Sequence, residues 1–566
     1  MAPARRPNFL LVVAHDLGYT DTGPYGGEID TPTLDRLAAE GVLLTAFHTA
    51  AACSPTRAML MSGTDSHIVG LSQLAEDIKL NRHYQGRPGF ESYLNHRVAA
   101  LPELLQDAGY HTIMSGKWHL GTKAHLSPHA RGFDKSFVYL AGSGNHFNDE
   151  PQLGDFVDYL YRHPAVDSEG LWMRDGNFLD RKRDLPSGFY STTTFTDELL
   201  QYLDGRNQQE REKPFFGYLS FTAPHWPLQA PKEIIEKYKD RYNEGPEILR
   251  AKRLQSLMEH GLVPRGVGTS PRPPLAASPA ANPAWEAMPE QDRRISSRCM
   301  ETYAAMVDVI DQNLGRVVEA LERSGELDDT FILFMSDNGA EGRMLEALPV
   351  TAGVPLEHII KTFYDNSVQN IGNADSFVYY GPRWASAAAA PIPASSVSLA
   401  RGGLKSPCII RYPSITVPKM PGGAVSHDFT TVMDILPTIL DLAGVSPPVA
   451  HYRQRAIAAL RGRSWIPHLR GLTPTVHENG CQDLSGWELF GRRAVRRGKW
   501  KAVFAPAPEG SNSWELYDVL RDPAEANNLS LQEPEVLSQL LMEWEKYYSE
   551  TGLYDPGVEA NRLIIK

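Results

Sequence analysis

The sequence predicts an α/β protein: a large, mixed but mostly parallel sheet flanked by helices, followed by a smaller C-terminal domain with an antiparallel sheet and a packed helix. Three observations predict it. Several apolar runs of strand length end in ionisable or amide residues. Segments with helical spacing of apolar residues lie between them. Beyond about residue 460 the runs become short strands split by turn signals and closed by one helical stretch.

Taken in order, "NFLLVVA" (8–14) is a continuous apolar run, as expected of a strand buried on both faces, and it leads into His15 and Asp16. The helical "LPELLQDAGY" precedes "HTIMSGKWH" (111–119), which ends in Lys117 and His119. "PFFGYLSFTAPHW" (214–226) delivers His225. A helical segment, "YAAMVDVIDQNLGRVVEALERSG", leads to "TFILFMSDNG" (330–339), which delivers Asp337 and Asn338. "PCIIRYP" (407–413) is another buried-strand run. Residues 263–291 and 386–403 are rich in Pro, Ala, Ser and Gly and read as surface excursions. The C-terminal part, with "RRAVRRGKWKAVFAPA", "SWELYDVLRDPAEANNLS" and "PEVLSQLLMEWEKYYSE", gives a division into a catalytic domain over 1–460 and a small domain over 461–566.

Composition removes some functions. With 566 residues the chain is too long for one ordinary domain. A net charge of −12 leaves no basic surface for a nucleic acid, so none is expected as a partner. No apolar run is long enough to span a bilayer, so no membrane partner is expected. The short apolar run after Pro7 reads as a strand rather than a leader, and the four cysteines (Cys53, Cys299, Cys408, Cys481) have no paired spacing. A cytoplasmic protein with reduced thiols is the expectation.

In sheets of this kind ligands bind beyond the carboxyl ends of the strands, and four strands bring reactive side chains to that edge. Asp16, Asp337 and Asn338 offer oxygen ligands for a hard divalent cation. Arg57, Lys117, His119 and His225 offer positive charge and proton transfer. A metal, a nucleophile and several cationic donors suit displacement at phosphorus or sulfur. The thiol of Cys53 is the misfit, because sulfur pairs badly with a hard cation.

The stretch "CSPTR" (53–57), continued as "AMLMSGT", resembles the Cys-x-Pro-x-Arg signature of the type I, formylglycine-dependent sulfatases. So do "GYHTIMSGKWHLG", "APHWPLQAP", "FMSDNGAEG", "YYGPRWA", "MDILPTILDLAG" and "WELYD", which together cover nearly the whole chain. The resemblance is nearest to bacterial calcium-dependent arylsulfatases of the Pseudomonas type, with an alkaline-phosphatase-like fold. It implies that Cys53 is the precursor of a formylglycine, installed by a maturation enzyme that reads Pro55 and Arg57. The reacting atoms would then be the two oxygens of an aldehyde hydrate rather than sulfur.

Carried over by position, Asp16, Asp337, Asn338 and the oxygens on residue 53 match metal ligands, with His15 at a further ligand position. Arg57 matches the residue that holds the formylglycine oxygens, and His119 the group that orients or deprotonates the hydrate. Lys117 and His225 match groups around the sulfate and the leaving oxygen. The implied reaction is covalent hydrolysis of a small aryl or alkyl sulfate. One hydroxyl attacks sulfur and His225 or Lys117 gives a proton to the departing alcohol. The second hydroxyl then loses its proton to His119 and sulfate is eliminated.

Two positions depart from the family pattern. Ca²⁺ is the expected metal, but His15 stands where the family usually has a second acidic residue, which weakens the match to Ca²⁺ and suits Mn²⁺ or Zn²⁺ better, with Mg²⁺ also open. Ser396 stands where the family usually has a sulfate-binding lysine, six residues before Gly402. The alternative readings are a phosphate or phosphonate ester hydrolase on the same fold and a weakly active or non-catalytic relative.

Overall fold

The computed structural model describes residues 6–150, 168–267, 283–342, 356–392, 403–415, 423–477, 485–507 and 510–556. Ser396 and Cys481 lie outside them. The large sheet has ten strands: β1 (Asn8–Ala14), β2 (Val42–Leu44), β3 (His111–Lys117), β4 (Lys135–Tyr139), β5 (Trp172–Arg174), β6 (Asn177–Leu179), β7 (Phe215–Ser220), β8 (Thr330–Ser336), β9 (Cys408–Arg411) and β10 (Ala424–Ser426). Their order is β10-β2-β9-β8-β1-β7-β3-β4-β5-β6. The central five, β8-β1-β7-β3-β4, are mutually parallel, and antiparallel pairs flank them on both sides.

Strand β1 shows why its sequence is a continuous apolar run. Leu10, Val12 and Ala14 enter the core on one face, while Phe9, Leu11 and Val13 enter the core on the other. The register sets Ala14 opposite Ser336, Val13 opposite Ser220, and Gly116 opposite Ser220. The three chain exits at Asp16, Asp337 and Lys117 therefore emerge side by side. Gly116 is required there: it has φ +115°, and a β-carbon on it would come within 1.8 Å of the Ser220 carbonyl oxygen.

The helix expected before β8 is longer than its sequence pattern indicated. It runs from Glu290 to Arg323, because the polar segment before Tyr303 continues the same turn and buries Cys299 and Met300. The excursion expected over 263–291 includes a short ordered turn at Trp285–Ala287 that buries Trp285. Among the described residues no helix is long and apolar enough to cross a membrane.

The small sheet is antiparallel: β11 (Ser485–Leu489), β12 (Arg492–Arg497), β13 (Trp500–Phe504) and β14 (Trp514–Asp518), in that order. It begins later than the change of sequence character near 460, and Trp465, Ile466 and Leu469 pack into the core of the large sheet. Its two faces separate by the strand period. Val495, Ala502 and Leu516 pack on the C-terminal helix Pro534–Thr551, through Leu540, Trp544 and Tyr547. Trp487, Leu489, Ala494, Val503 and Tyr517 pack on Ala51, Ala52, Leu74 and Phe429, with Cys53 at the margin. The segment that carries the thiol is thus one wall of the joint between the two sheets.

A buried polar cluster fastens the joint. His67 Nδ1 lies 2.8 Å from Asp65 Oδ1, and its Nε2 lies 3.4 Å from Glu488 Oε2 on β11. Gln73 Nε2 donates to Glu488 Oε2 at 2.7 Å, and Tyr547 OH donates to Asp65 Oδ2 at 2.8 Å. Burial alone would lower the imidazole pKa, but Asp65 and Glu488 push His67 up to about 9.

Candidate active site

Cys53 opens a helix, Cys53–Ser62, that the sequence did not announce: every residue after Cys53 is buried, so it has no polar face. Pro55 falls in the first turn, where a missing N–H leaves no intrahelical bond unmade. Thr56 Oγ1 accepts from Ala50 N at 3.0 Å and ties the approach to the helix. The helix N-terminus, and with it Cys53, points to the carboxyl ends of the central strands. Arg57, one turn on, runs fully buried beneath them.

The Arg57 guanidinium spans three strands. Nε donates to Asp337 Oδ2 at 2.9 Å, and Nη2 stands 2.8 Å from the same oxygen. Nη1 donates to the Lys117 carbonyl at 3.1 Å, to Tyr218 OH at 3.2 Å and to Ser220 Oγ. Its visible work is to fix Asp337 and the ends of β3 and β7 relative to the thiol helix.

Asp16 leaves β1 with φ 62°, a left-handed turn that Asp tolerates better than most residues. The turn brings its N–H to Asp337 Oδ1 at 3.1 Å. Asn338 Nδ2 donates to Asp16 Oδ1 at 2.6 Å, while Asn338 Oδ1 is buried with no hydrogen-bond partner. Burial and then Asp337 raise the Asp16 carboxyl well above its ordinary range. Two carboxylates drawn together beside an unsatisfied amide oxygen form a cation-shaped arrangement: hard oxygens, excess negative charge and one acceptor in want of a partner.

Lys117, fully buried, places Nζ 2.7 Å from His15 Nε2, and His15 Nδ1 lies 3.3 Å from the Thr222 carbonyl. The Thr222 carbonyl calls for Nδ1–H, so Nε2 is the acceptor facing the ammonium. Burial and then Lys117 keep the His15 pKa well below its ordinary value, in keeping with a neutral ring. His15 stacks on His225 with centroids 4.1 Å apart. His225 Nδ1 is held by the Trp226 carbonyl at 2.5 Å, and its Nε2 stands 3.4 Å from Asp16 Oδ2. His15, Asp16 and His225 offer ligand atoms within 4.8 Å of one another.

His119 has φ 59° and places Nδ1 3.3 Å from Cys53 Sγ. Its Nε2 meets both carboxylate oxygens of Glu76, at 3.0 and 3.2 Å. Burial alone would raise the Cys53 pKa, yet Lys117 and His119 bring it below its ordinary value. Burial would lower His119, but Glu76 and then Cys53 raise it, and Glu76 in turn is drawn down to about 2, chiefly by His119.

The structure thus brings Cys53, Arg57, Lys117, His119, His225, His15, Asp16, Asp337 and Asn338 into one buried cluster. Glu76 was missed by the sequence reading. Its segment, "LAEDIKL", carries no motif, and its partner lies 43 residues away.

A family model described as Sulfatase matches residues 7–445. An uncharacterized sulfatase of Schizosaccharomyces pombe is 47% identical over 560 residues, covering 98% of this chain and 95% of the relative. An arylsulfatase of Klebsiella aerogenes is 32% identical over 485 residues, covering 83% and 96%. Among solved structures, one captured with its substrate D-glucosamine-2-N,6-O-disulfate aligns with a TM-score of 0.59 at 20% identity, covering 98% of this chain and 99% of the other. Another, bound to a neocarrahexaose, aligns at 0.63 and 22%, covering 96% and 93%. At those identities the structural likeness speaks for the fold alone.

Proposed function

The chain belongs to the sulfatase family and is a sulfuric ester hydrolase, and from that premise we propose that Cys53, converted to formylglycine, supplies its nucleophile beside a single divalent metal. The observation that carries this reading is the misfit at position 53. A sulfur atom lies at the edge of a hard-oxygen cation arrangement and within reach of Lys117 and His119, where an oxygen pair would serve both.

Asp16, Asp337 and Asn338 are the residues that would hold the metal, with residue 53 completing the set. The buried, partnerless Asn338 Oδ1 supports the fit. His15 joins them as a ligand only by giving up Lys117 at Nε2. With oxygens in the majority, Ca²⁺ is the assignment, and Mg²⁺ or Mn²⁺ fits the set if His15 takes part. When bound, the ion polarises oxygens on residue 53 and on the sulfate group and offsets their charge.

The protein's own groups supply the remaining chemistry. Arg57 fixes Asp337 and leaves the thiol helix no freedom to drift. Lys117 brings positive charge to the sulfate oxygens. Lys117 delivers the proton that the leaving alcohol needs, or His225 does so from Nε2 once that nitrogen has itself taken up a proton, since its Nδ1 is held by the Trp226 carbonyl. His119 Nδ1, 3.3 Å from the residue 53 side chain, takes the hydroxyl proton when sulfate departs. The organic half of the substrate is a small aryl or alkyl group, and the partners are that ester and a maturation enzyme for Cys53.

The deciding experiment is the mass of the proteolytic peptide containing Cys53 from protein made in its native host, paired with relative rates on matched sulfate and phosphate esters. The expected results are an aldehyde at position 53 and a preference for sulfate. An unmodified thiol removes the nucleophile, and a preference for phosphate reassigns the substrate.

A further inference from the structure

We propose that Glu76 is a positioning residue for the half of the reaction that frees sulfate, acting through the His119 ring. The inference rests on the reading of residue 53 as a formylglycine and goes beyond it, because nothing in the Cys-x-Pro-x-Arg stretch points to Glu76.

The geometry is directional. An imidazole presents one nitrogen to each side, and the bond made by one nitrogen determines what the other can do. Both Glu76 oxygens lie on the Nε2 side of His119, at 3.0 and 3.2 Å, and residue 53 lies on the Nδ1 side. A carboxylate accepts only, so it holds the proton on Nε2 and leaves the Nδ1 lone pair facing residue 53. The other two rings of the site have a backbone carbonyl on Nδ1: Thr222 for His15 and Trp226 for His225. They present the opposite nitrogen. Of the three, only His119 has its Nδ1 turned to the nucleophile and a carboxylate behind it.

The surroundings hold the pair in place. The His119 backbone sits in the left-handed region, and its N–H donates to the Leu140 carbonyl at 3.2 Å. Gly142 closes over the contact. A β-carbon there would lie 2.8 Å from His119 Cε1, 3.1 Å from Nε2 and 3.4 Å from Glu76 Oε1. The site admits the imidazole–carboxylate pair and no extra methyl group.

In the sulfate-releasing half, the proton on the free hydroxyl of residue 53 passes to His119 Nδ1. That oxygen's electron pair forms the carbonyl, and the carbon–oxygen bond to sulfate breaks, with sulfate leaving as the dianion. In the first half, attack on sulfur and release of the alcohol, the proton of the attacking hydroxyl passes to the Asp337 carboxylate, which interacts with residue 53 from the metal-ligand set, so Nδ1 is not used as an acceptor there. Glu76 should therefore affect the second half alone.

The test uses metal-loaded enzyme, with the aldehyde at position 53 confirmed by mass, acting on 4-nitrophenyl sulfate in a stopped-flow instrument. For Glu76→Gln the expected result is a burst of about one nitrophenol per site, followed by turnover slowed about 10–100-fold. KM should fall in step, leaving kcat/KM within about threefold of the parent, because kcat/KM reports the first half. Glu76→Asp should recover part of kcat. Gly142→Ala, which displaces the pair without removing the carboxylate, should give the same burst, and it decides the matter if Glu76→Gln does not fold. An unchanged kcat, or kcat and kcat/KM falling together without a burst, overturns the proposal. If the aldehyde-bearing parent itself fails to release nitrophenol, the fault lies in the functional reading rather than with Glu76.

Discussion

Two buried polar clusters, one around Cys53 at the start of its helix and one around His67 just beyond the helix end, are built on opposite plans. The cluster at the interdomain joint is complete: His67 has a carboxylate at each nitrogen, and the Asp65 and Glu488 carboxylates have further donors in Tyr547 and Gln73. The cluster around Cys53 is incomplete: an amide oxygen without a partner, two crowded carboxylates, and a lysine resting on an imidazole. All three rings are buried, yet His67 is raised while His15 and His225 are lowered. The difference lies in the neighbours. A finished network rigidifies, and an unfinished one is reserved for what binds there.

The largest effect that would sharpen this comparison is in the cleft. Cys53→Ala should lower turnover of an aryl sulfate by about 10⁴-fold while leaving the unfolding midpoint nearly unmoved, since a half-buried side chain is lost from a site not built for stability. Equal losses of rate and stability would break the comparison. Removal of the metal with a chelator should come next, costing about 10²-fold or more in rate and lowering the melting temperature, both restored by adding Ca²⁺. In Asn338→Ala the gap in melting temperature between loaded and chelated protein should narrow. A melting temperature indifferent to chelation would mean that the unpartnered oxygen serves no ion.

The smallest effect on rate, and the one that tests the other cluster, comes from His67→Gln. It should destabilise the protein by about 3 kcal/mol at neutral pH, with kcat little changed. The pH dependence has a definite sign. The folded pKa is raised above that of the unfolded chain, so the stabilisation is fully present below about 6.5 and is lost as pH rises through about 9. Urea midpoints should therefore fall between pH 7 and 10 in the parent and fall less in the variant. Parallel slopes would remove His67 from the account.

Much of this was legible in the sequence where physical constraint is local. The central strands announced themselves because burial on both faces leaves no room for polar alternation, as in β1 and β8. The ionisable residues after them could be assigned to one edge because parallel strands end together. The thiol helix was not legible: buried all round and opening Cys-Ser-Pro-Thr, it lacks both periodicity and a capping signal. Glu76 was hidden because the contact that gives it meaning is made across the fold. Trp465 and Ile466 belong by composition to either side of the change near residue 460, and only packing assigns them to the large core.

The joint between the sheets also has a consequence in time. Trp487 Nε1 donates to the Thr49 carbonyl across 438 residues, and Tyr547 reaches Asp65 across 482. A ribosome delivers the Cys53 segment more than 400 residues before the sheet that walls it in. Contacts of such long range form late. During synthesis the thiol therefore has an open interval, which ends when the final strands dock. Any reagent or enzyme that must reach it works most easily inside that interval, and the order of residues along the chain acts as its clock.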